Sequence, residues 1–222
     1  MLEAVMFDMD GLTIDTEKYY KRCWIAAAKE AGFEMKKDDY LKLRSCAKEF
    51  AEPMLKKRFG DGFDYDKIRE KRRELVEEAV KKEGIDKKPY VSELISYLKS
   101  KGIRCILVTA TCEERARRFL KIAGLEDAFE ELICADMVKH GKPASDIYKY
   151  ACEKAGVKPE GCLALEDSPN GVKSAHGAGL KVIMVSDLST ADEDTKKLIV
   201  RETKDLGEVI NFIKLESFQT VG

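Results

Sequence analysis

Short apolar runs alternate with longer amphipathic segments along most of this 222-residue chain. The apolar runs, rich in Val, Ile, Leu and Cys, lie at 4–7, 103–108, 131–135, 162–166 and 181–185. Between the later runs, apolar positions recur at helical spacing, so the second half of the chain alternates between strand and helix patterns. This alternation predicts an α/β fold in which a parallel sheet is flanked by helices on both faces.

Capping residues mark several of the predicted helices. Thr111 and Glu114 have the spacing of a capping box, which predicts a helix that begins there and closes near Gly124. Ser145 is a suitable N-cap residue and predicts a further helix. Ser168, which is followed by proline, predicts another helix directly after the fourth apolar run.

A long insertion separates the first two apolar runs. About ninety residues lie between them, whereas the crossover between two parallel strands needs only about a dozen. Segments with a helical pattern that end at or near a glycine fill most of the insertion, at 16–31, 45–58 and 64–83, and a helix at 91–101 follows. We therefore predict a core domain from residues 1–15 and 86–222, with a helical cap domain from residues 16–85.

Charge and cysteine content restrict the class of partner. The 40 basic and 41 acidic side chains nearly cancel, so no global field favours nucleic acid or a membrane surface as a partner. Seven cysteines without a Cys-x-x-Cys pair are typical of reduced thiols, and the apolar runs are too short to span a bilayer. We expect a cytoplasmic protein, and the sequence leaves its oligomeric state open.

Candidate site residues gather where the predicted strands end. In a strand, residues two apart point to the same side, so Asp8 and Asp10 can contact one bound group. The others are Thr109, Ala110 and Thr111 after the second run, Glu166 and Asp167 after the fourth, and Lys142 on a loop. Because ligands of open parallel sheets bind beyond the carboxyl ends of the strands, one shared site is predicted.

The acidic residues of this site require a cation. Two carboxylates about 4 Å apart repel by about 4 kcal/mol at an effective dielectric constant of 20. Oxygen ligands without nearby His or Cys favour Mg²⁺, and the candidate ligands are Asp8, Asp10, Glu166 and Asp167. Lys142 adds a positive charge, Thr109 a hydroxyl and Ala110 a backbone donor. Such a set predicts phosphoryl transfer, with Mg²⁺ as cofactor and a small phosphate ester as substrate.

The order of these segments resembles the motifs of a known family. The segments are Asp8-Met9-Asp10-Gly11 with Asp15-Thr16, then Thr109, then Lys142-Pro143, then Glu166-Asp167-Ser168-Pro169-Asn170-Gly171. They are similar to the four motifs of the haloacid dehalogenase-like hydrolases, in the branch with an inserted helical cap. The resemblance covers nearly the whole chain and implies a Rossmann-like core.

The resemblance also implies roles for the core residues. Asp8 is expected to attack phosphorus and form an aspartyl-phosphate, while Asp10 protonates the leaving oxygen and later activates water. Mg²⁺ is expected to bind the backbone carbonyl of Asp10, the carboxylates of Asp8 and Asp167, and Glu166 directly or through water. The transferred phosphoryl group is expected to bind Thr109, Ala110 and Lys142.

Two activities within this branch fit the core motifs, namely sugar-phosphate hydrolysis and the beta-phosphoglucomutase reaction. The mutase carries a histidine shortly after the first motif, where this chain has Tyr20. The cap loop of the family usually contains glycine near Leu43-Arg44-Ser45, which is absent here. These departures favour a phosphatase and leave the mutase as the alternative. Candidate substrate contacts in the cap are Arg44, Lys71, Arg72 and Tyr20.

Two further hypotheses involve no sustained turnover. A phospho-accepting receiver also uses an acidic pair, a hydroxyl residue and a lysine on a parallel sheet. The insertion of about seventy residues and the second acidic pair at 166–167 argue against it. A binding protein without activity is the other alternative, although every expected chemical group is present. The identity of the phosphate ester is not determined by the sequence.

Overall fold

A six-stranded parallel sheet forms the centre of the molecule in a computed structural model, which describes residues 2–219. The strands are β1 Ala4–Phe7, β2 Arg104–Val108, β3 Glu131–Ile133, β4 Cys162–Glu166, β5 Lys181–Val185 and β6 Arg201–Thr203. They lie in the order β3-β2-β1-β4-β5-β6. The five predicted strands are confirmed. The edge strand β6 was missed because its Arg-Glu-Thr sequence has no apolar residue to signal a strand.

Ten α-helices accompany this sheet within residues 2–219. They are α1 Glu17–Glu30, α2 Lys37–Leu41, α3 Lys48–Phe59, α4 Tyr65–Glu83, α5 Val91–Ser100, α6 Glu113–Ile122, α7 Asp146–Ala155, α8 Pro169–Gly177, α9 Glu193–Lys196 and α10 Leu206–Gln219. Short 3₁₀ turns occur at Ala135–Met137 and Pro159–Gly161. No helix in the described part of the chain is both long and apolar enough to cross a membrane.

Helices cover both faces of the sheet, as predicted. Alternate residues of β1 enter different apolar clusters: Val5 and Phe7 pack in the cluster that contains α5, α6 and α10, whereas Ala4 and Met6 pack in the cluster that contains α7 and α8. Burial on both faces explains why the central strands are continuous apolar runs rather than alternating patterns.

The helical insertion between β1 and β2 packs largely on itself. Helix α1 lies against α4 and α2, and α3 lies against α4. The rings of Phe33, Phe59 and Phe63 have centroids 5.0 to 5.8 Å apart and join the loops between these helices. Helix α2 was missed because it has only five residues, three of them charged. The segment predicted as helix from residue 45 starts at Lys48, after Ser45 adopts a φ of 53°.

Two of the predicted helix caps differ in the structure. Ser168 caps α8 by accepting a hydrogen bond from the Gly171 amide at 3.1 Å, as predicted. Helix α6 begins at Glu113, and Thr111 forms no capping box because its hydroxyl donates to another side chain. Ser145 precedes α7 but its side chain accepts no capping hydrogen bond.

Candidate active site

Strands β1, β2 and β4 bring the candidate residues to one edge of the sheet. Phe7 lies in register with Leu107 of β2 and Leu165 of β4. Because the three strands are parallel and end at nearly the same level, Asp8, Thr109 and Glu166 follow at adjacent positions. The predicted convergence of these strand ends is present in the structure.

The Lys142 ammonium group joins two carboxylates below the surface. Its Nζ donates to Asp8 Oδ1 and Glu166 Oε1, each at 2.6 Å, and to the Val108 carbonyl at 3.0 Å. These three bonds use all the donors of the amine. Burial favours the neutral amine, but the two carboxylates outweigh it and raise the pKa of Lys142. Lys142 therefore remains charged and holds Asp8 in a fixed orientation.

Asp8, Glu166 and Asp167 form a buried acidic cluster. One carboxylate oxygen from each residue lies within 4.8 Å of the others. Each residue also has a buried oxygen without a hydrogen-bond partner among the described residues, namely Asp8 Oδ2, Glu166 Oε2 and Asp167 Oδ1. Burial raises the pKa of Glu166 to about 8 and that of Asp167 to about 7. Three oxygen donors with free positions fit a hard divalent cation such as Mg²⁺.

The Asp10 carboxylate accepts hydrogen bonds from two hydroxyl groups. Thr16 Oγ1 donates to Asp10 Oδ1 at 2.5 Å, and Thr111 Oγ1 donates to Asp10 Oδ2 at 2.9 Å. Burial and the nearby charge of Asp8 raise the pKa of Asp10 to about 6, although both hydroxyls oppose the shift. The contacts of Thr16 and Thr111 with Asp10 were not predicted. The sequence signal that could have indicated these contacts is that Thr16 and Thr111 lie at or next to the first two motifs.

Two glycines allow the acidic residues to approach the backbone closely. Gly11 has a φ of 90°, and a Cβ atom there would overlap Asp167 Oδ2. A Cβ atom on Gly171, in the first turn of α8, would overlap the Glu166 carboxylate. The glycines of the first and fourth motifs thus provide space for two acids of the cluster.

Arg44 lies over the acidic cluster instead of standing free in the cap loop. Its guanidinium group hydrogen-bonds Asp167 and lies 3.4 Å from Glu17 and 3.5 Å from Asp187. Asn170 fixes this loop by donating to the Arg44 carbonyl at 2.9 Å. Arg44 lines the cavity that is described below. The prediction of a substrate contact did not anticipate that acidic residues of the protein already neutralise its charge.

A cavity of about 350 Å³ lies between the strand ends and the helical insertion. Asp8, Asp10, Ala110, Tyr20 and Arg72 are among the residues that line it. Thr109 and Lys142 are fully buried and do not line it. Lys71, predicted as a substrate contact, is not among the residues that line this cavity.

The position of Lys71 follows from helix geometry. Its amine lies near Glu30 and Glu74, at 3.5 and 3.6 Å, and its side chain is 38% exposed. It precedes Arg72 by one residue, which rotates the side chain by about 100° around α4. Trp24, Tyr65, Arg69, Arg73 and Arg115 also line the cavity and were not predicted to do so.

The sequence also matches the family model described as haloacid dehalogenase-like hydrolase over residues 5–185. The chain belongs to this family. It is 31% identical over 186 residues to the phosphorylated carbohydrates phosphatase of Thermotoga maritima, covering 82% of this chain and 84% of that protein. It is 26% identical over 214 residues to the beta-phosphoglucomutase of Bacillus subtilis, covering 92% of each chain.

A solved structure of the same family supports the assignment. The crystal structure of CbbY from Rhodobacter sphaeroides in complex with phosphate superposes with a TM-score of 0.78 at 26% identity, covering 94% of this chain and 96% of that one. The relatives of this haloacid dehalogenase-like hydrolase therefore include both a phosphatase and a mutase. The protein is an enzyme of this hydrolase family.

Proposed function

We propose that this hydrolase is a Mg²⁺-dependent phosphatase of small organic phosphomonoesters, and that sugar phosphates are its substrates. The observation that carries the proposal is the state of Asp8. Lys142 holds its Oδ1 at 2.6 Å, while its Oδ2 has no hydrogen-bond partner within the described residues. One carboxylate oxygen is fixed, and the other is available to attack phosphorus beside the cavity.

The roles of Asp8 and Asp10 follow from their surroundings. Asp8 forms a bond to phosphorus as the ester P–O bond breaks, and Asp10 gives its proton to the leaving oxygen. A water molecule then attacks the aspartyl-phosphate and returns a proton to Asp10, which releases phosphate and restores Asp8. A pKa of about 6 leaves Asp10 able to exchange a proton near neutral pH.

The acidic cluster would hold the metal ion. Asp8, Glu166 and Asp167 would bind Mg²⁺ together with the backbone carbonyl of Asp10. The bound ion would neutralise the carboxylates and the charge of the transferred phosphoryl group. The same proposal assigns the Thr109 hydroxyl, the Ala110 amide and Lys142 to the phosphoryl group. Ala110 lines the cavity, and Lys142 would act through its charge because its three donors are already engaged. This set provides the electrostatic stabilisation that phosphoryl transfer requires.

The helical unit of residues 16–85 would serve as a cap over the core of residues 1–15 and 86–222. The Ala47 amide of the cap donates to the Lys142 carbonyl of the core at 2.8 Å. Closure of this cap would exclude bulk water from the aspartyl-phosphate, and opening would release the product. The seven cysteines of the protein are free, which is typical of cytoplasmic proteins. We therefore propose that the enzyme is cytoplasmic.

The mutase is the second candidate because a beta-phosphoglucomutase is among the relatives. Incubation with beta-glucose 1-phosphate and a bisphosphate primer separates the two reactions. We expect released inorganic phosphate to be the main product. Glucose 6-phosphate as the main product would instead establish the mutase.

The phosphatase is tested with p-nitrophenyl phosphate and a panel of sugar phosphates in the presence of Mg²⁺. We expect sustained turnover that is lost on chelation and in Asp8→Asn. The matched control is Asp86→Asn, which makes the same change on an exposed carboxylate that contacts Lys18. Unimpaired turnover by Asp8→Asn would remove the nucleophile assignment, and a single stoichiometric phosphorylation without turnover would indicate a receiver.

A further inference from the structure

Besides Arg44, four arginines line the cavity that also contains Asp8 and Asp10. Arg69, Arg72 and Arg73 project from α4 and Arg115 from α6, and we refer to them as the arginine cluster. None of the four belongs to the motifs that hold the transferred phosphoryl group in the proposed mechanism. Their charge therefore needs a separate explanation.

Only part of this charge is neutralised within the protein. Arg73 lies 3.0 Å from Glu70, and Arg115 lies 3.2 Å from Glu77. Within residues 2–219, no carboxylate lies within ion-pair distance of Arg69 or Arg72. The Arg72 side chain is also buried, with 7% of the residue exposed, and its Nε has no hydrogen-bond partner there.

The surroundings of Arg72 do not provide a counterion. Its guanidinium group lies 5.1 Å from the ring centroid of Tyr20 and 5.0 Å from that of Trp24. Burial lowers the pKa of Arg72, and the positive charges of Arg69 and Arg115 lower it further. Aromatic faces offset only part of the cost of burying an unpaired cation. An apolar side chain would fill the same space without that cost, so packing does not account for Arg72.

The arginine cluster lies close to the proposed reaction centre. Tyr20 connects the two, because its ring contacts the Arg72 guanidinium group and lines the same cavity as Asp8 and Asp10. A cavity of about 350 Å³ is within the range of small-molecule sites. A substrate bound at Asp8 can therefore extend past Tyr20 toward the arginine cluster.

We propose that the arginine cluster, with Arg72 at its centre, binds a second anionic group of the substrate. The preferred substrates would then be phosphate esters whose short, sugar-like carbon chain also carries a second phosphate or a carboxylate. Guanidinium groups suit either anion, because their planar donors form paired hydrogen bonds with its oxygens. This inference rests on the proposed function and adds to it a class of substrate.

Matched substrate pairs test the inference in the Mg²⁺-loaded enzyme. One pair is a hexose monophosphate and the corresponding bisphosphate, and the other is glycerol 3-phosphate and 3-phosphoglycerate. A hydrogen bond to a charged group contributes about 1.5–3 kcal/mol, so we expect kcat/KM to be about 10- to 150-fold higher for at least one doubly anionic member. The pair that shows the preference identifies the anion. Equal or lower kcat/KM for both doubly anionic members would overturn the inference.

Charge-removing variants assign the preference to Arg72. We expect Arg72→Gln to reduce the ratio of kcat/KM between the doubly and singly anionic members at least tenfold. Lys71→Gln is the matched control, since the neighbouring residue loses the same charge outside the cavity. Arg69→Gln, at a half-buried position, gives a second test if Arg72→Gln does not fold. Equal ratios in wild type and both arginine variants would contradict the assignment.

Binding measurements separate this inference from the proposed function. Calorimetric titration of each substrate pair into Asp8→Asn needs no turnover. We expect tighter binding of a doubly anionic member, and loss of that difference when Arg72→Gln is added. If no phosphate ester is hydrolysed but this difference persists, the proposed phosphatase fails and the second anion site stands.

Discussion

Among single residues, Lys142 and Arg72 show two opposite ways of burying a cation. Lys142 is surrounded by partners, with two carboxylates at 2.6 Å and a carbonyl at 3.0 Å. Arg72 has aromatic neighbours but no carboxylate at ion-pair distance within the described residues. The first cation supports the folded state, whereas the second is retained at a cost to it. Replacing each residue should therefore have effects of opposite sign on stability.

Lys142→Met should strongly destabilise the metal-free protein. It leaves Asp8 and Glu166 buried without their cation, and breaking a buried ion pair costs about 3–5 kcal/mol. Burial raises the pKa of Glu166 even with Lys142 present, and loss of the lysine would raise it further, so the protonated form of Glu166 is favoured in the folded variant. Protonation of Glu166 therefore stabilises the folded variant fully below pH 4.5, and this stabilisation is lost as the pH rises through the folded pKa.

The loss in Lys142→Met should therefore be largest near pH 8 and smallest near pH 5. Urea unfolding in the presence of a chelator measures it at each pH. Lys149→Met, on the exposed surface of α7, is the matched control and should unfold like wild type. If the loss of stability in Lys142→Met instead grew as the pH fell, Lys142 would not be the counterion of Asp8 and Glu166.

Arg72→Met should raise the thermal unfolding midpoint. The change removes an unpaired buried charge and keeps a side chain of similar length, while losing contacts with two aromatic rings. We expect a net gain of about 1 kcal/mol, which corresponds to about 2–4 °C for a chain of this size. Differential scanning calorimetry checks it, and a midpoint below that of wild type would show that Arg72 is mainly a packing residue.

Among the elements, the turn after β1 and the start of α8 place backbone directly against the acidic cluster. Gly11 and Gly171 are the contact points, and neither position has room for a Cβ atom. Ser168 caps α8 beside Gly171, so the first turn of this helix is fixed where it meets Glu166. The first turn of α8 can thus approach Glu166 at the end of β4 because Gly171 has no side chain.

Gly171→Ala should disrupt the site. The added Cβ would overlap the Glu166 carboxylate, and overpacking of this kind costs about 1–3 kcal/mol. Since Glu166 is held by Lys142 and Tyr148, we expect the clash to displace Glu166 and to lower kcat at least tenfold. Gly62→Ala is the control, because a Cβ at that position meets no atom within 4 Å. Equal activity in the two variants would show that α8 shifts freely.

For the molecule as a whole, the cap and the core meet through a few polar contacts around the cavity. Glu77 of α4 accepts two hydrogen bonds from Arg118 of α6, at 2.6 and 2.7 Å, and lies 3.2 Å from Arg115. His140 of the core lies 3.1 Å from Glu49 of the cap. These two pairs are partly exposed and individually weak, whereas the pair between Arg44 of the cap and Asp167 of the core is buried.

Glu77→Gln should favour the open cap. The hydrogen bonds from Arg118 lower the pKa of Glu77, so its stabilising charge is present above about pH 4.5 and is lost on acidification below it. We expect a several-fold higher KM at neutral pH, and a smaller effect at high salt because partly exposed pairs are screened. Trp24 is the single tryptophan and lines the cavity, so its fluorescence reports the change directly.

The control for this variant is Glu74→Gln, on the exposed side of the same helix, where the carboxylate lies 3.6 Å from Lys71. It should leave both KM and the emission of Trp24 unchanged. If Glu77→Gln behaves in the same way, the contact between α4 and α6 does not hold the cap.

The order of the elements and the residues of the core motifs could be predicted from the sequence. Apolar periodicity distinguishes strands from helices within a few neighbouring positions, and it located β1 to β5 and most long helices, although α10 was not predicted. The parallel direction of the strands then brought Asp8, Thr109 and Glu166 to one edge of the sheet. Short elements such as α2 and β6 were missed because three to five mainly polar residues carry no periodic signal.

The partners of each polar side chain depended on the folded chain. Lys71 and Arg72 are adjacent cations in the sequence, yet Arg72 lines the cavity and Lys71 faces Glu30. Thr111 had the spacing of a helix cap, and the proximity of Asp10, 101 residues away, made it a partner of that carboxylate. Local patterns specify conformation, whereas hydrogen bonds and ion pairs between distant residues depend on packing that brings them within about 3 Å.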